Sequence, residues 1–265
     1  MPAEGSEMSE TCSTDLVREA AAVWDAARAA RPRVHCITNN VAQAFTANLL
    51  LAAGMIPSMT HAADEAADFA ARADALLINL GTLDPERRAA IPRAWEAARA
   101  GGRPVVLDPV FVERSPGRLA FARACLARRP DAVRLNAAEF EALAGGPAGP
   151  GAVADFARER GLCLALTGAR DTITDGARGL SIDNGDDVMA RVTAMGCAAS
   201  ALVAGCIAVA RDPVPGAAAG LLAFAVAGEV AGARSRGPGS FPAHFLDELA
   251  LLTGARIVAL ARCDA

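Results

Sequence analysis

Residues 75–110 read ALLINLGTLDPERRAAIPRAWEAARAGGRPVVLDPV. Ala75–Leu80 is apolar except for Asn79, as a parallel strand covered on both faces requires. Pro85–Ala100 has the composition of a crossover helix, and Val105–Val110 repeats the strand pattern. The stretch is therefore one β-α-β unit, and the same rhythm extends in both directions. Upstream, Arg33–Thr38 is a short β-prone run, Val41–Ala53 is helical with Gly54 just past its end, Ile56–Thr60 is extended and Ala62–Arg72 is helical. Downstream, Ala132–Leu135 and Leu162–Thr167 are strands, with helices expected over Arg118–Arg128, Ala137–Ala144 and Ala152–Arg160. A first helix is expected over Thr14–Ala30, capped by Ser13 or Thr14 and stopped by Pro32, behind a flexible tail of residues 1–12.

The rhythm changes at Asp171. Asp175-Gly176 and Asn184-Gly185 are hairpin signals flanking short strands, Leu180–Ile182 and Val188–Val192, which adds an antiparallel edge. From Gly196 onward the chain reads as helices: Gly196–Arg211, Ala217–Ser235 and a last pair around Phe245–Cys263. The expectation is one α/β domain over residues 1–265, a three-layer α/β/α sandwich with a mostly parallel central sheet, an antiparallel edge and a helical C-terminal portion.

Composition narrows the function. A chain of 265 residues that is 53% hydrophobic can bury one sizeable core. With 4% aromatic residues, no Tyr, a net charge of −4 and no basic run, the chain lacks the stacking surface and the electrostatic footprint of a nucleic-acid or anionic-lipid binder. The apolar stretches Gly196–Ala210 and Ala217–Ala231 are broken by Arg211-Asp212 and read as buried helices too short for a membrane span. The seven cysteines are scattered, never spaced as CxxC, and read as reduced thiols. The first fifteen residues carry no apolar segment of a signal peptide, so a cytoplasmic location is expected. Every basic residue other than histidine is Arg, and there is no Lys. That excludes P-loop, protein-kinase and Schiff-base chemistry, each of which needs a lysine. Phosphate would have to be met by backbone N–H groups, Arg or a metal.

Ligands of open α/β sheets gather at the carboxyl ends of the strands. There the sequence places Thr38-Asn39-Asn40, Met59, Asn79 with Gly81-Thr82, Asp108, Asn136 with Glu139, Thr167-Gly168 and Thr193–Cys197. Asp108 and Glu139, with Asn136 as a third candidate, could hold Mg²⁺ directly or through water. Equally, Asp108 could cap a turn before Pro109, and Glu139 could be a first-turn acid favoured by the helix dipole. Thr193–Cys197 precedes a long apolar helix whose N-terminus would offer free N–H groups to an anion. Cys197 in that first turn is either a thiol of lowered pKa able to take a proton or a packing cysteine. His35, His61 and His244 lack metal-ligand spacing and are read as structural. Most arginines are read as solvated helix faces; Arg134, beside Asn136 at a strand end, is the one placed for phosphate.

At these residues the sequence resembles the hydroxyethylthiazole kinase family. The strongest segment is HCITNNVAQAFTANLLLAAGMIPSM, His35–Met59; INLGTL, LDPV, the R-x-NA-x-E of Arg134–Glu139, ALAG, TG, the VT-x-x-GC of Val192–Cys197 and GPGSF follow in the family's order. The resemblance implies a ribokinase-like fold, transfer of the ATP γ-phosphoryl group to the alcohol of 4-methyl-5-(2-hydroxyethyl)thiazole in thiamine biosynthesis, and a homotrimer with sites between subunits. It implies thiazole contacts from Asn39, Val41, Met59 and Ala194, ATP contacts from Arg134 and Thr167, Mg²⁺ organised by Asp108 and Glu139, and Cys197 at the catalytic position. The chain departs from the family pattern at Ala194 and Leu135, which stand for glycines, at Met195, and at Phe111–Arg114, a stretch that usually contains glycine. A positive φ at Ala194 or Leu135 would cost about 1–2 kcal/mol. Those departures keep two other readings open: a trimer that binds a thiazole or thiamine-like ligand without transferring phosphate, and a kinase for another small heteroaromatic alcohol.

Overall fold

The computed structural model of the protein describes residues 4–264. In chain order the elements are α1 (Glu4–Ala30), β1 (Arg33–Ile37), α2 (Gln43–Ala52), β2 (Ile56–Ser58), α3 (Ala66–Arg72), β3 (Ala75–Asn79), α4 (Pro85–Ala100), β4 (Val105–Asp108), α5 (Pro116–Leu126), β5 (Ala132–Asn136), α6 (Ala137–Ala144) and α7 (Pro150–Arg160). They continue as β6 (Cys163–Thr167), β7 (Asp171–Thr174), β8 (Gly179–Ile182), α8 (Met195–Ile207), α9 (Pro213–Arg234), α10 (Phe241–Leu251), α11 (Gly254–Leu260) and β9 (Cys263–Asp264). The strands form one nine-stranded sheet in the order β2-β1-β3-β4-β5-β6-β7-β8-β9. Pairings from β2 to β6 are parallel; those from β6 to β9 are antiparallel.

Alternation along the strands decides the layers. Val34, Cys36, Ala75, Leu77, Val106 and Ala165 face a core built with α1, α2, α8, α9 and α10, while Ile37, Leu76, Ile78, Val105, Leu107 and Leu164 face a second core built with α3 to α7. A strand covered on both sides has no room for polar residues until its end, which is why polar side chains collect at the strand C-termini. The chain leaves β1 toward β2 on one side and returns to β3 on the other, so the sheet has a topological switch point between β1 and β3, where such folds form a crevice.

Several elements differ from the sequence reading. The first helix runs through the expected Ser13/Thr14 cap to Glu4, so residues 4–12 of the expected tail continue α1, and residues 1–3 lie outside the described residues. Val188–Val192 is no strand: the Asp186 carboxylate accepts from the Val188 amide at 2.8 Å and caps a 3-10 turn over Asp187–Arg191. The outer edge of β8 is taken instead by β9, with Ile182 opposite Cys263. Asn184-Gly185 is a tie rather than a hairpin turn. Asn184 Nδ2 donates to Glu229 Oε2 and Leu260 O, and the Gly185 amide donates to the same glutamate oxygen. The second apolar helix begins at Pro213, with Asp212 as its cap, and at 22 residues it is long enough to cross a membrane. Instead, 89% of its most apolar window is buried in the fold, against α1, α8 and α10.

Candidate active site

The loop after β1 holds the first polar cluster. Asn39 is buried; its Oδ1 accepts from the Ala42 amide at 2.9 Å, which turns the chain into α2. Its Nδ2 donates to Asn79 Oδ1 at 3.0 Å and to Cys197 Sγ at 3.2 Å. Asn79, the last residue of β3, is fully buried; it accepts a second hydrogen bond from the Gly81 amide and donates from Nδ2 to Asp108 Oδ2 at 2.7 Å. Gly81 is required here, because a Cβ at that position would lie 2.8 Å from the Asn39 Cβ. Val41 and Met59 flank this cluster toward the β2 edge: Val41 is exposed, Met59 is half-buried, and Gln43 Nε2 reaches the Met59 carbonyl. His35 is structural, as read from sequence. It is buried, its Nδ1 meets Ser58 Oγ, its ring stacks on Phe69, and burial lowers its pKa to about 4.

The end of β4 holds the second cluster. Asp108 is wholly buried, and its Oδ2 accepts from Asn79 and from Ser200 Oγ at 2.8 Å, while its Oδ1 has no hydrogen-bond partner. Burial pushes the carboxyl up to about 7; the nearby Arg134 charge and the two donors pull the other way, and Glu139 adds to the rise. Glu139 is buried in the first turn of α6. Its Oε2 accepts from the Asn136 amide and Asn136 Oδ1 from the Glu139 amide, a reciprocal capping box. Its Oε1 accepts from the Phe111 amide at 2.9 Å, so the carboxylate also ties down the loop after β4. Glu139 is thus a first-turn acid of the helix, and Asn136, read from sequence only as a third metal candidate, is that helix's cap.

The start of α8 is the third cluster. Ala194 caps the helix at φ 71°, ψ −2°, with no side chain capping its amides. The guanidinium of Arg134 lies directly over this turn: a Cβ on Gly196 would fall 2.7 Å from Arg134 Nη1. A helix N-terminus and an arginine aimed at one point offer a candidate anion site. Arg134 Nε is buried without a partner. Of the two glycine replacements, only Ala194 takes a positive φ; Leu135 is a regular, buried residue of β5. Met195 belongs to the apolar core rather than to the anion site. Phe111 also adopts a left-handed conformation, φ 55°, and Arg114 pairs with Glu113 and points to solvent.

Cys197 sits between the clusters. Burial and the neighbouring Asp108 charge raise its thiol pKa to about 11, against donors from Asn39 and Asn79, so desolvation outweighs the helix dipole and the thiol stays protonated at neutral pH. This is opposite in direction to a thiol primed to accept a proton. Thr167 ends β6 beside Asn136 in register, with Oγ1 donating to the Leu135 carbonyl at 3.4 Å.

Asn39, Cys197, Asp108 and Arg134 are therefore brought together, with Ala194 shaping the turn; Thr167 lies at the next strand end and Val41 and Met59 at the β2 side. Ser200 and Arg87 were invisible from sequence, the first inside an apolar helix and the second in a run of helix charges. Among the described residues no group of three or more His, Cys, Asp or Glu side chains converges as a metal cage. A cavity of about 560 Å³ opens at the opposite end of the sheet, where Arg99 is paired with Asp131 and Arg178 with Asp212.

Residues 25–255 match the hydroxyethylthiazole kinase family. A probable hydroxyethylthiazole kinase of Agrobacterium fabrum is 42% identical over 92% of this chain and 94% of its own length, and a hydroxyethylthiazole kinase of Cronobacter sakazakii is 45% identical over 89% and 95%. The solved structure of a hydroxyethylthiazole kinase protein from Pyrococcus horikoshii superposes with a TM-score of 0.87 at 34% identity, covering 93% of this chain and 98% of that one. A ribokinase-like superfamily protein of Enterococcus faecalis, 12% identical, shares the fold with a TM-score of 0.65 over 84% of this chain and 88% of its own.

Proposed function

The chain belongs to the hydroxyethylthiazole kinase family, and from that premise we infer that it is an ATP-dependent kinase that phosphorylates the hydroxyethyl group of 4-methyl-5-(2-hydroxyethyl)thiazole in thiamine salvage. The observation that carries the reading is the hydrogen-bonded chain Cys197–Asn39–Asn79–Asp108, which links the first turn of α8, under Arg134, through the ends of β1 and β3 to the end of β4. It joins a small-molecule pocket to a phosphate pocket, as transfer between two bound substrates demands.

In this reading Asn39, Val41 and Met59 hold the thiazole, and the Ala194 turn closes over it. Arg134 and the α8 amides receive phosphate oxygens, and Thr167 contacts the nucleotide. Cys197 faces the acceptor alcohol as a neutral thiol, so it shapes and orients more than it removes a proton. Transfer through a loose transition state needs little base assistance, and positioning with charge neutralisation accounts for most of the acceleration. Asp108 suits Mg²⁺, because its buried Oδ1 is unpartnered and its carboxyl would be ionised by a cation. Glu139, with both oxygens already accepting backbone amides, suits a contact through water. A bound Mg²⁺ would neutralise charge on the transferred phosphoryl group.

A homotrimer with sites at subunit boundaries fits the apolar residues left open beside the β2 edge, Val41, Leu51, Ile56 and Phe69. A partner chain covering Val41 would complete the thiazole pocket. The enzyme would work in the cytoplasm, where its nucleotide is made. The transfer reading is preferred to a binding-only trimer because Arg134 and Glu139 both lie near enough to Asp108 for their charges to act on its carboxyl. Incubating the purified protein with Mg-ATP and the thiazole alcohol should give the phosphate ester by mass spectrometry; no product beside an active control enzyme overturns the proposal.

A further inference from the structure

Arg87 is the one arginine of α4 on the helix's buried face. That face is Arg87, Ala90, Ile91, Ala94, Trp95 and Ala98, an i, i+3, i+4, i+7 stripe whose other members are apolar. The adjacent Arg88 shows the ordinary alternative, an exposed guanidinium over the Phe121 ring at 5.1 Å. Burying a guanidinium is costly unless each face of the fork is paired, and an apolar side chain of similar size would usually serve stability as well. Here the fork is paired. Nε donates to the Thr38 carbonyl at 3.0 Å, Nη2 to Asn40 Oδ1 at 2.6 Å and Nη1 to the Asp84 carboxylate. Asp84 is itself the cap of α4, accepting from the Arg87 amide at 2.7 Å, so the arginine is anchored to a rigid helix start.

Thr38 and Asn40 flank Asn39. The loop after β3 grips that residue from one side through Gly81 and Asn79, and Arg87 holds the Thr38 carbonyl before it and the Asn40 side chain after it. We propose that Arg87 is a positioning residue for the acceptor alcohol, a clamp from the α4 N-terminus that sets the Thr38–Asn40 segment and thereby aims Asn39. The inference rests on the assignment of Asn39 to the acceptor made above.

Arg87→Met removes the whole fork at similar volume, and Asn40→Ala removes one exposed acceptor without endangering the fold. The acceptor KM should rise about threefold to tenfold in Asn40→Ala and about tenfold or more in Arg87→Met, with the ATP KM within about twofold of wild type. Arg87→Lys should not rescue, since an ammonium cannot reproduce a planar three-way contact. Hydrogen exchange on the ligand-free proteins supplies a readout that does not depend on the reaction: the Ala42 amide, held by Asn39 Oδ1, should exchange faster in both variants while β4 and β5 do not change. Unchanged exchange at Ala42, or acceptor and ATP KM values that rise together, would overturn the proposal. A wild-type enzyme that makes no thiazole phosphate would defeat the kinase reading alone, and the exchange experiment would still decide the clamp.

Discussion

At the ends of β1 and β3, the side-chain amides of Asn39 and Asn79 have partners at both oxygen and nitrogen, and Arg87 holds the intervening main chain. At the ends of β4 and β5 and the start of α8, Asp108 Oδ1 and Arg134 Nε lie buried without partners, and two non-glycine residues, Phe111 and Ala194, are held at positive φ. A buried polar atom without a partner costs about 1–3 kcal/mol, and an alanine in the left-handed region about 1–2 kcal/mol. The acceptor half has an orphan of its own in the Thr38 hydroxyl and a left-handed residue of its own in Thr82; what sets the phosphate half apart is that its unpartnered atoms belong to charged groups, open valences of the kind that a charged ligand and a cation satisfy. The difference implies that one half of the site is preorganised and the other is completed by what it binds.

The sharpest way to break this contrast is at Asp108. Asp108→Asn should lower kcat by about 10²- to 10³-fold through loss of the charge that holds a cation. Stability should move the other way. Burial raises the Asp108 carboxyl to about 7, above its unfolded value, so the native state binds the extra proton and stability falls as pH rises through that window. In EDTA at pH 8, Asp108→Asn should therefore melt a few degrees higher than wild type, with the gain gone below about pH 4. For the wild-type enzyme at limiting Mg²⁺, activity should decline as pH falls below about 7 because proton and cation compete for the carboxyl, and saturating Mg²⁺ should move the decline to lower pH; a profile that does not respond to Mg²⁺ would contradict that assignment.

Next in size is Arg134→Ala, which should raise the ATP KM by about tenfold or more while acceptor affinity stays within about twofold. An equal loss on both substrates would erase the boundary between the halves. Ala194→Gly relieves the left-handed strain at the start of α8, and calorimetric melting should show a gain of about 1 kcal/mol, or a few degrees. A lower Tm would mean that the turn is not strained. The smallest effect belongs to Cys197→Ser: with the thiol already protonated at neutral pH, kcat should change by less than about tenfold and its pH profile should not move.

Much of the site was legible from sequence because the strands are so uniformly apolar. In a strand covered on both faces, polar residues collect where the apolar run ends, and Asn39, Asn79, Asp108, Asn136 and Thr167 all stand at or just past such an end. The strain at Ala194 was legible as a missing glycine. Burial of charge was not. Arg87 and Arg88 are neighbours of the same type, and only the angle at which α4 meets the sheet puts one in the core and the other in solvent. Ser200 lies in a helix apolar all round, where a single hydroxyl carries no signal, yet it meets Asp108. The fold's misread stretch has a similar cause. Val188–Val192 is a mostly apolar run behind the Asn184-Gly185 turn signal, but the Asp186 cap and the pairing of β8 with β9 settle it as a 3-10 turn.

The division of the site into a half whose amides are paired and a half with unpartnered charges is tested most directly by calorimetric titration of the thiazole alcohol into the protein, first alone and then with a non-hydrolysable ATP analogue and Mg²⁺. A preorganised acceptor half predicts binding to the bare protein with an affinity within about fivefold of that seen with nucleotide present. Acceptor binding that appears only after nucleotide and Mg²⁺ are added would contradict it.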